Sequence, residues 1–317
     1  MKTRLLFFLI LCCNVLTQAQ IIAPQWDHVG PLSTNEPNVS PSHPDYNAFR
    51  SGRIDDLAVN PGNSNHIVAG SFFAGIWQTY NVYNPPPGWE ILPNFEEDYP
   101  NGMGYGGVAS IAFRNSNELY AANLIYVNSK NYYSTKVFKY DYNANPTIWT
   151  QLGALPFANQ MDVKINKIVF YPNDPDRVFL CTSAGLVESA DAGATWFNSP
   201  AGNPVSGNIF NIVFIEKSTP GDYFWYISGS DTPGNDYQGH AMLMESDNGA
   251  AFADVTAFSG NFSNIHSYAG LCLGDQTATN GDRDILIYTA IDQGSDWASN
   301  NRNVHKATKN IINTTIQ

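Results

Sequence analysis

The chain has 317 residues, of which 16 are Lys or Arg and 28 are Asp or Glu, giving a formal net charge of −12. The basic residues form no cluster, so nucleic acid and anionic membranes are excluded as preferred partners. Hydrophobic residues make up 43% of the chain, and 13% aromatic residues with 25 Gly and 19 Pro are typical of short strands separated by turns.

The amino terminus has the features of a secretory signal peptide. Lys2 and Arg4 precede an apolar run at 5–13 that is too short to span a bilayer, and Ala19 provides a small residue before a cleavage site. We therefore predict a signal peptide over residues 1–19 and a mature chain that is secreted or displayed at the cell surface. No later stretch of the sequence is apolar enough to predict a transmembrane segment.

Two of the four cysteines lie in the signal peptide. A lipid anchor on Cys12 or Cys13 is the weaker alternative to simple cleavage, because the bulky Leu11 stands where a lipoprotein has a small residue. Cleavage leaves Cys181 and Cys272, which lie in strand-like segments without metal-ligand spacing. We expect two buried free thiols, no metal site and no cofactor.

Residues 20–52 form a Pro-rich lead-in to the main part of the chain. Within it, QWDHVGPL at 25–32 has the pattern of a single outer strand that completes a sheet formed elsewhere. We therefore treat this segment as separate from the repeats that follow.

Five apolar segments of one form then recur along the chain. They are spaced by 54, 57, 44 and 59 residues when aligned on Leu57, Ile111, Ile168, Ile212 and Leu271. After each segment come a polar turn, a second apolar strand, a third strand and a fourth strand that begins near an aromatic residue. Four strands per repeat predict a β-propeller with one blade per repeat, at 53–106, 107–163, 164–206, 207–266 and 267–317.

Burial of apolar surface explains why such sheets would form a ring, and the last repeat of the sequence is incomplete. A four-stranded sheet with two apolar faces cannot bury both alone, but stacking the sheets around an axis buries them. The fifth repeat reaches Gln317 inside its fourth strand. We expect about five blades of an incomplete ring from a larger protein, with the 25–32 strand as a possible closing element.

The third repeat contains SADAGATW at 189–196, where turn-forming residues alternate. In such a turn Asp191 can accept bonds from amides, Gly193 can adopt a positive φ, and Trp196 can bury its ring beneath. The stretch resembles the Asp-box (BNR repeat) of sialidase-like, sortilin-like and glycosyl-hydrolase-like propellers, at Ser189, Asp191, Gly193, Thr195 and Trp196. The fourth repeat carries a partial copy at Asp247, Gly249 and Phe252. The resemblance covers about residues 50–317 and implies a fold rather than an activity.

Strand order divides the connections between two faces of the predicted ring. The 189–196 turn lies on the face of the first-to-second and third-to-fourth connections, whereas the long insertions lie on the other face. Their aromatic, Asp and Asn residues suit a glycan or a peptide ligand, and the alternative is that the aromatics only fold the loops down. The candidate ligand-binding residues are Arg53, Tyr99, Tyr105, Tyr132, Tyr133, Tyr237 and Trp297.

Catalysis would need two carboxylates at a defined separation. The candidates are Asp55 and Asp56 in the first strand, Glu96, Glu97 and Asp98 in one loop, and Asp231 and Asp236 in another. For Asp55 and Asp56 a partly structural role is the favoured interpretation, and pairing with a loop carboxylate is the catalytic one. The resemblance argues against an enzyme. Only Arg53 opens a first strand, so a sialidase-type arginine cluster is hard to build, and Phe72 stands where xyloglucan-cleaving propellers have a catalytic Asp.

Three functions therefore stay open. The preferred one is an exported Asp-box β-propeller that binds a carbohydrate or protein ligand. The second is a glycoside hydrolase of the same fold. The third is a structural ring within a larger surface or adhesion protein.

Overall fold

The computed structural model describes residues 54–71, 75–83, 88–92, 107–128, 131–134, 136–144, 149–157, 163–231, 241–255, 269–274, 276–277, 281–291 and 301–311. Every regular element within these ranges is a β-strand, so the all-β class predicted from the sequence is confirmed. This part of the chain contains no helix long and apolar enough to span a membrane. The predicted signal peptide (1–19) and lead-in (20–52) lie outside the described residues.

The strands form five antiparallel sheets that follow one another along the chain. The first sheet contains, in spatial order, β1 (Ile54–Asn60), β2 (Asn63–Ser71), β3 (Ile76–Thr79) and β4 (Glu90–Ile91). The second contains β5 (Gly107–Phe113), β6 (Glu118–Asn128), β7 (Asn131–Tyr133), β8 (Val137–Asp141) and β9 (Trp149–Gln151). Its order is β5-β6-β8-β9, and β7 pairs with β6 outside that path.

The remaining sheets repeat the same order. The third contains β10 (Ile165–Tyr171), β11 (Asp174–Thr182), β12 (Gly185–Ser189) and β13 (Phe197–Asn198). The fourth contains β14 (Asn208–Glu216), β15 (Tyr223–Ser230), β16 (Ala241–Asp247) and β17 (Ala253–Asp254). The described part of the fifth contains β18 (Ala269–Leu273), β19 (Asp282–Ile291) and β20 (Asn301–Asn310).

The second sheet departs from the predicted pattern at residues 127–136. The sequence predicted a long loop there, but β6 continues to Asn128 and pairs with β7 in a hairpin that extends beyond the sheet. Asn123 marks the point of departure. The side-chain Oδ1 of Asn123 accepts a hydrogen bond from the backbone amide of Lys136 at 2.9 Å. The backbone amide of Asn123 donates to the Lys136 carbonyl at 3.2 Å. These two bonds return the chain to the sheet after the hairpin.

Apolar clusters join each sheet to the next. Between the first and second sheets, Val68 and Ile76 pack with Ile111, and all three are at most 1% exposed. Similar clusters join the second sheet to the third, the third to the fourth, and the fourth to the fifth. Since burial of one such side chain contributes about 1.5–3 kcal/mol, these clusters supply most of the attraction between sheets.

The 189–196 turn is closed by its own side chains. Ser189 Oγ accepts the Gly193 amide at 2.7 Å, and Asp191 accepts the Thr195 amide and hydroxyl at 2.8 and 2.6 Å. The bonds from Thr195, with those from Ser189, hold the pKa of Asp191 below its ordinary value. Gly193 has a φ of 85°, which glycine adopts without steric cost, and Trp196 packs beneath it.

The second sheet is bonded to this turn from outside. The Tyr120 hydroxyl donates to the Ala192 carbonyl at 2.9 Å, and the Gly153 amide donates to the Gly193 carbonyl at 2.8 Å. Burial raises the pKa of Tyr120 to about 12, so its hydroxyl remains a donor at neutral pH. The turn is therefore part of the contact between two sheets as well as a feature of one.

The partial copy in the fourth sheet keeps the backbone of the turn but changes its bonds. Gly249 has a φ of 79°, close to the 85° of Gly193. Asp247 forms an ion pair with Lys217. The ring of Trp225 lies under the turn, so close that a Cβ on Gly249 would be 2.5 Å from it.

Cations lie over aromatic rings at the two later sheet interfaces. Arg177 of the third sheet has its Cζ 4.5 Å from the ring centre of Trp225 in the fourth. Lys309 of the fifth sheet is 2% exposed, lies 4.1 Å from the ring centre of Phe224, and pairs with Glu245 at 2.8 Å. Because a buried charge is costly unless it is paired, the pairing of Lys309 with Glu245 favours this contact between the fourth and fifth sheets.

A buried polar network joins the first sheet to the second around His66. Its Nδ1 accepts the Asn60 side-chain amide at 3.0 Å, and its Nε2 donates to Gln78 Oε1 at 3.1 Å. Gln78 Oε1 also accepts the Tyr142 hydroxyl at 3.0 Å. The imidazole stacks on Tyr80, with ring centres 4.1 Å apart. Burial lowers the pKa of His66, although the bond to Gln78 and the nearby Glu90 act in the opposite direction.

A substitution at Gly153 tests the bond between the second sheet and the 189–196 turn. A Cβ at Gly153 would lie 2.1 Å from the Ala194 carbonyl oxygen, so Gly153→Ala should lower the free energy of unfolding by about 1–3 kcal/mol. Gly88→Ala is the matched control, because nothing lies within 4 Å of a Cβ there and its change should stay below about 1 kcal/mol. Urea unfolding measures both, and equal stability of the two variants would contradict the contact.

The lowered pKa of His66 predicts a pH-dependent stability. The unfolded chain protonates this histidine near its ordinary value of 6.5, whereas the folded chain resists protonation until lower pH. The wild type should therefore lose stability relative to His66→Phe as the pH falls through 6.5 toward the folded-state pKa. Thermal unfolding from pH 8 to 5 checks this. Parallel curves for the two proteins over that range would show that His66 titrates equally in both states.

Candidate ligand-binding face and hub

Hydrogen bonds assign the connections of the third sheet to two faces. On one face, the Ala192 amide of the 189–196 turn donates to the Asp176 carbonyl beside the β10–β11 connection at 2.8 Å. On the other, Ser183 in the β11–β12 connection exchanges two bonds with Lys164, at 2.8 and 2.9 Å. The β6–β7 hairpin belongs to this second face, because the Ser134 amide donates to the residue before Lys164. We call it the ribbon face.

Four inner strands carry a β-bulge at the same position of the repeat. The pairing of β1, β5, β10 and β14 with their neighbours shifts by one residue there, and the extra residues are Asp55, Ala109, Asn166 and Phe210. A bulge redirects the following side chains and frees an amide from the ladder. The residues that follow are all polar: Asp56, Ser110, Lys167 and Asn211. We call the region where these inner strands meet the hub.

The amide after each bulge is capped by a side-chain oxygen. In β1 and β5, the Leu57 and Ile111 amides both donate to Asp56, each at 3.0 Å. In β10 and β14, the corresponding amides donate to Ser110 Oγ at 3.0 Å and to Asn211 Oδ1 at 2.9 Å. A buried amide left without a partner costs about 1–3 kcal/mol, so the caps allow the inner strands to approach one another.

Asp56 joins three sheets. Besides the two amides, its carboxylate accepts the Ser110 hydroxyl at 2.7 Å and the Lys167 ammonium at 2.5 Å. The Asp56 side chain is 10% exposed. Since a carboxylate has about four acceptor sites, four donors leave little capacity for proton transfer or nucleophilic attack. This arrangement favours the structural role that the sequence left open for Asp56.

The other candidate catalytic residue, Asp55, is the extra residue of the β1 bulge and is half-buried. Bulges frequently lie next to active sites, so its place at the hub keeps it as a candidate. The loop carboxylates around Glu96 lie outside the described residues, so their pairing with Asp55 stays a prediction.

The candidate ligand-binding residues divide into two groups. Tyr132 and Tyr133 lie in β7, on the hairpin of the ribbon face. The others lie outside the described residues: Arg53, Tyr99, Tyr105, Tyr237 and Trp297. Their predicted roles stay predictions.

The described residues include two cysteines in different surroundings. Within the same part of the chain, no group of three or more His, Cys, Asp or Glu is placed to hold a metal ion. Cys181 is a buried free thiol whose pKa is raised by burial. The prediction that Cys272 is also buried is wrong, since it is exposed. Cys272 alternates along β18 with Leu271, which packs on the fourth sheet, so it belongs to the opposite side of the fifth sheet.

Sequence reasoning missed three members of the hub, Ser110, Lys167 and Asn211. Each stands directly before the aligned apolar residue of its repeat, where Asp56 also stands. A polar residue at one fixed position of an otherwise apolar strand was the available signal. Its meaning depends on the bulge, which the sequence pattern did not predict.

Two similar solved structures are GH74 enzymes. The crystal structure of an ancestral GH74 enzyme has a TM-score of 0.56 and 19% identity, covering 84% of this chain and 32% of that one. The GH74 xyloglucanase from Xanthomonas campestris has a TM-score of 0.52 and 17% identity, covering 84% and 37%. This chain thus spans about a third of their length. No family model and no curated protein sequence matches it. At these identities the likeness shows the fold alone, and that fold is a β-propeller.

A graded pair of variants tests the role of Asp56. Asp56→Asn places an amide donor among four donors, so we expect the free energy of unfolding to fall by roughly 2–4 kcal/mol. Lys167→Met removes only one donor, whose side chain is 34% exposed, and should cost about 1 kcal/mol or less. Chemical denaturation measures both. Full wild-type stability of Asp56→Asn would show that the hub does not depend on this carboxylate.

Proposed function

We propose that this chain is an exported β-propeller of the Asp-box class that binds a glycan or a peptide on its ribbon face. The observation that carries the proposal is the β6–β7 hairpin, which extends a regular sheet beyond its neighbours and includes Tyr132 and Tyr133. Aromatic residues on a rigid scaffold offer apolar area together with hydroxyl groups, and both suit sugars and peptides.

The hairpin register assigns the tyrosine positions to its two faces. Tyr132 is directly opposite Tyr126, so the two positions share one face of the hairpin, and Tyr133 belongs to the other face. Each face of the hairpin therefore carries at least one tyrosine position.

The net charge of the chain and its predicted signal peptide limit the classes of ligand that fit this site. A net charge of −12 disfavours anionic ligands, so an uncharged glycan or a neutral or basic peptide fits better. The predicted signal peptide supports a ligand met outside the cytoplasm. The bonds of Ser189, Asp191 and Thr195 in the 189–196 turn support the Asp-box class.

A glycoside hydrolase is the second candidate. It is favoured by the two GH74 enzymes among similar structures, one of them a xyloglucanase. It is disfavoured by Asp56, because a carboxylate with four donors is poorly suited to act as acid, base or nucleophile. Asp55 is the carboxylate on which this candidate depends.

Binding to an array of neutral polysaccharides, xyloglucan included, and of peptides tests the proposal. Tyr132→Ala/Tyr133→Ala should weaken the affinity for the ligand found at least tenfold, which corresponds to about 1.4 kcal/mol. Tyr83→Ala is the matched control, because this 71% exposed tyrosine lies in the β3–β4 connection on the opposite face. Equal loss in both variants would contradict a ribbon-face site.

The same preparation separates the alternatives. Release of reducing sugar from a polysaccharide, abolished by Asp55→Asn in a folded variant, would replace the binding module with the hydrolase. A folded wild type that binds nothing on the array would favour the structural ring.

A further inference from the structure

The first sheet has one face that is largely apolar across all four strands, Thr79 of β3 being its polar member. The pairing register places Leu57 and Val59 of β1 opposite Ala69 and Ile67 of β2, and continues through β3 to β4. Three side chains on this face are strongly exposed, at 59%, 54% and 48% for Leu57, Val59 and Ile91. The face also includes Ile67 and Trp77, which are half-buried, and Ala69, which is already buried between its neighbours.

The same face is buried in the following sheets. The residues equivalent to Leu57 in the next three sheets are each 1% exposed, namely Ile111, Ile168 and Ile212. In every case the covering surface is the sheet formed by the chain just upstream, as when Ile111 packs on Val68 and Ile76. The exposure of Leu57 therefore marks a missing neighbour on the upstream side.

Single exposed apolar residues are ordinary, but a continuous apolar face of a sheet is not. Burial of a Leu, Val or Ile side chain contributes about 1.5–3 kcal/mol, so covering Leu57, Val59 and Ile91 offers a substantial gain. Left open, such a face is a site for association with other molecules.

We propose that residues 20–52 of this chain cover the apolar face of the first sheet. They are the upstream chain of β1, and the other sheets are each covered by their upstream chain. The segment has 33 residues, enough for two or three strands, and is joined to β1 through Arg53. This direct connection gives it a high effective concentration at the face. It also supplies apolar partners at Ile21, Ile22, Trp26, Val29 and Leu32.

Hydrogen exchange of the mature chain from Gln20 tests the proposal. We expect amides in 21–32 to exchange at least tenfold more slowly than in an unstructured peptide. Leu57→Lys/Val59→Lys should abolish that protection, because two charges would lie under the segment. Leu273→Lys is the matched control, since Leu273 occupies the position of Val59 in the fifth repeat and is 41% exposed. It should leave the protection unchanged.

Three results would overturn the proposal. Free exchange of 21–32 in the wild type would show that the segment does not dock. Protection that survives Leu57→Lys/Val59→Lys would show that it docks elsewhere. A dimer by light scattering that the double variant dissociates would identify a second copy as the occupant. Unchanged protection of β14 and β15 in each variant confirms that the fold is intact.

Discussion

The arrangement of the first three sheets depends on hydrogen bonds to the carboxylate of Asp56. Each inner strand pairs with its neighbour along one edge and faces the other inner strands along the second, where no ladder provides partners for its amides. The bulges in β1, β5, β10 and β14 bring polar side chains to that edge. Asp56 caps amides of two sheets and pairs with Lys167 of a third. Its carboxylate therefore accepts the hydrogen bonds that a neighbouring strand would accept in a sheet.

Away from the hub, different forces hold the same sheets. Apolar clusters fill the interfaces between sheets. Cation–π contacts, such as that of Arg177 with Trp225, are directional and constrain how two sheets pack. The hydrogen bond from Tyr120 to the 189–196 turn constrains the packing of the second sheet on the third. Polar bonds at the centre and apolar contacts outside together give a rigid scaffold, which a binding site on the ribbon face requires.

The repeated strands could be predicted because their signal is local. Apolar alternation around Ile111 or Ile212, and turn residues such as Gly193, act within a few positions of the chain. The hub could not be predicted, because its bonds between sheets join residues 54 to 111 positions apart and depend on bulges. The β7 strand was missed for a related reason: its pairing depends on Asn123 bonding across the hairpin to Lys136. The exposure of Cys272 depends on what covers the fifth sheet, which no local pattern records.

The Lys167–Asp56 ion pair has a consequence for unfolding. In a chain of stacked repeats, each unit contacts only its neighbours, and the units can melt one after another. This ion pair instead links the third sheet to the first across the second. Because Asp56 also bonds Ser110 and the Ile111 amide of the second sheet, opening of any one of these three sheets breaks contacts made by the others, so they should unfold as a single cooperative unit.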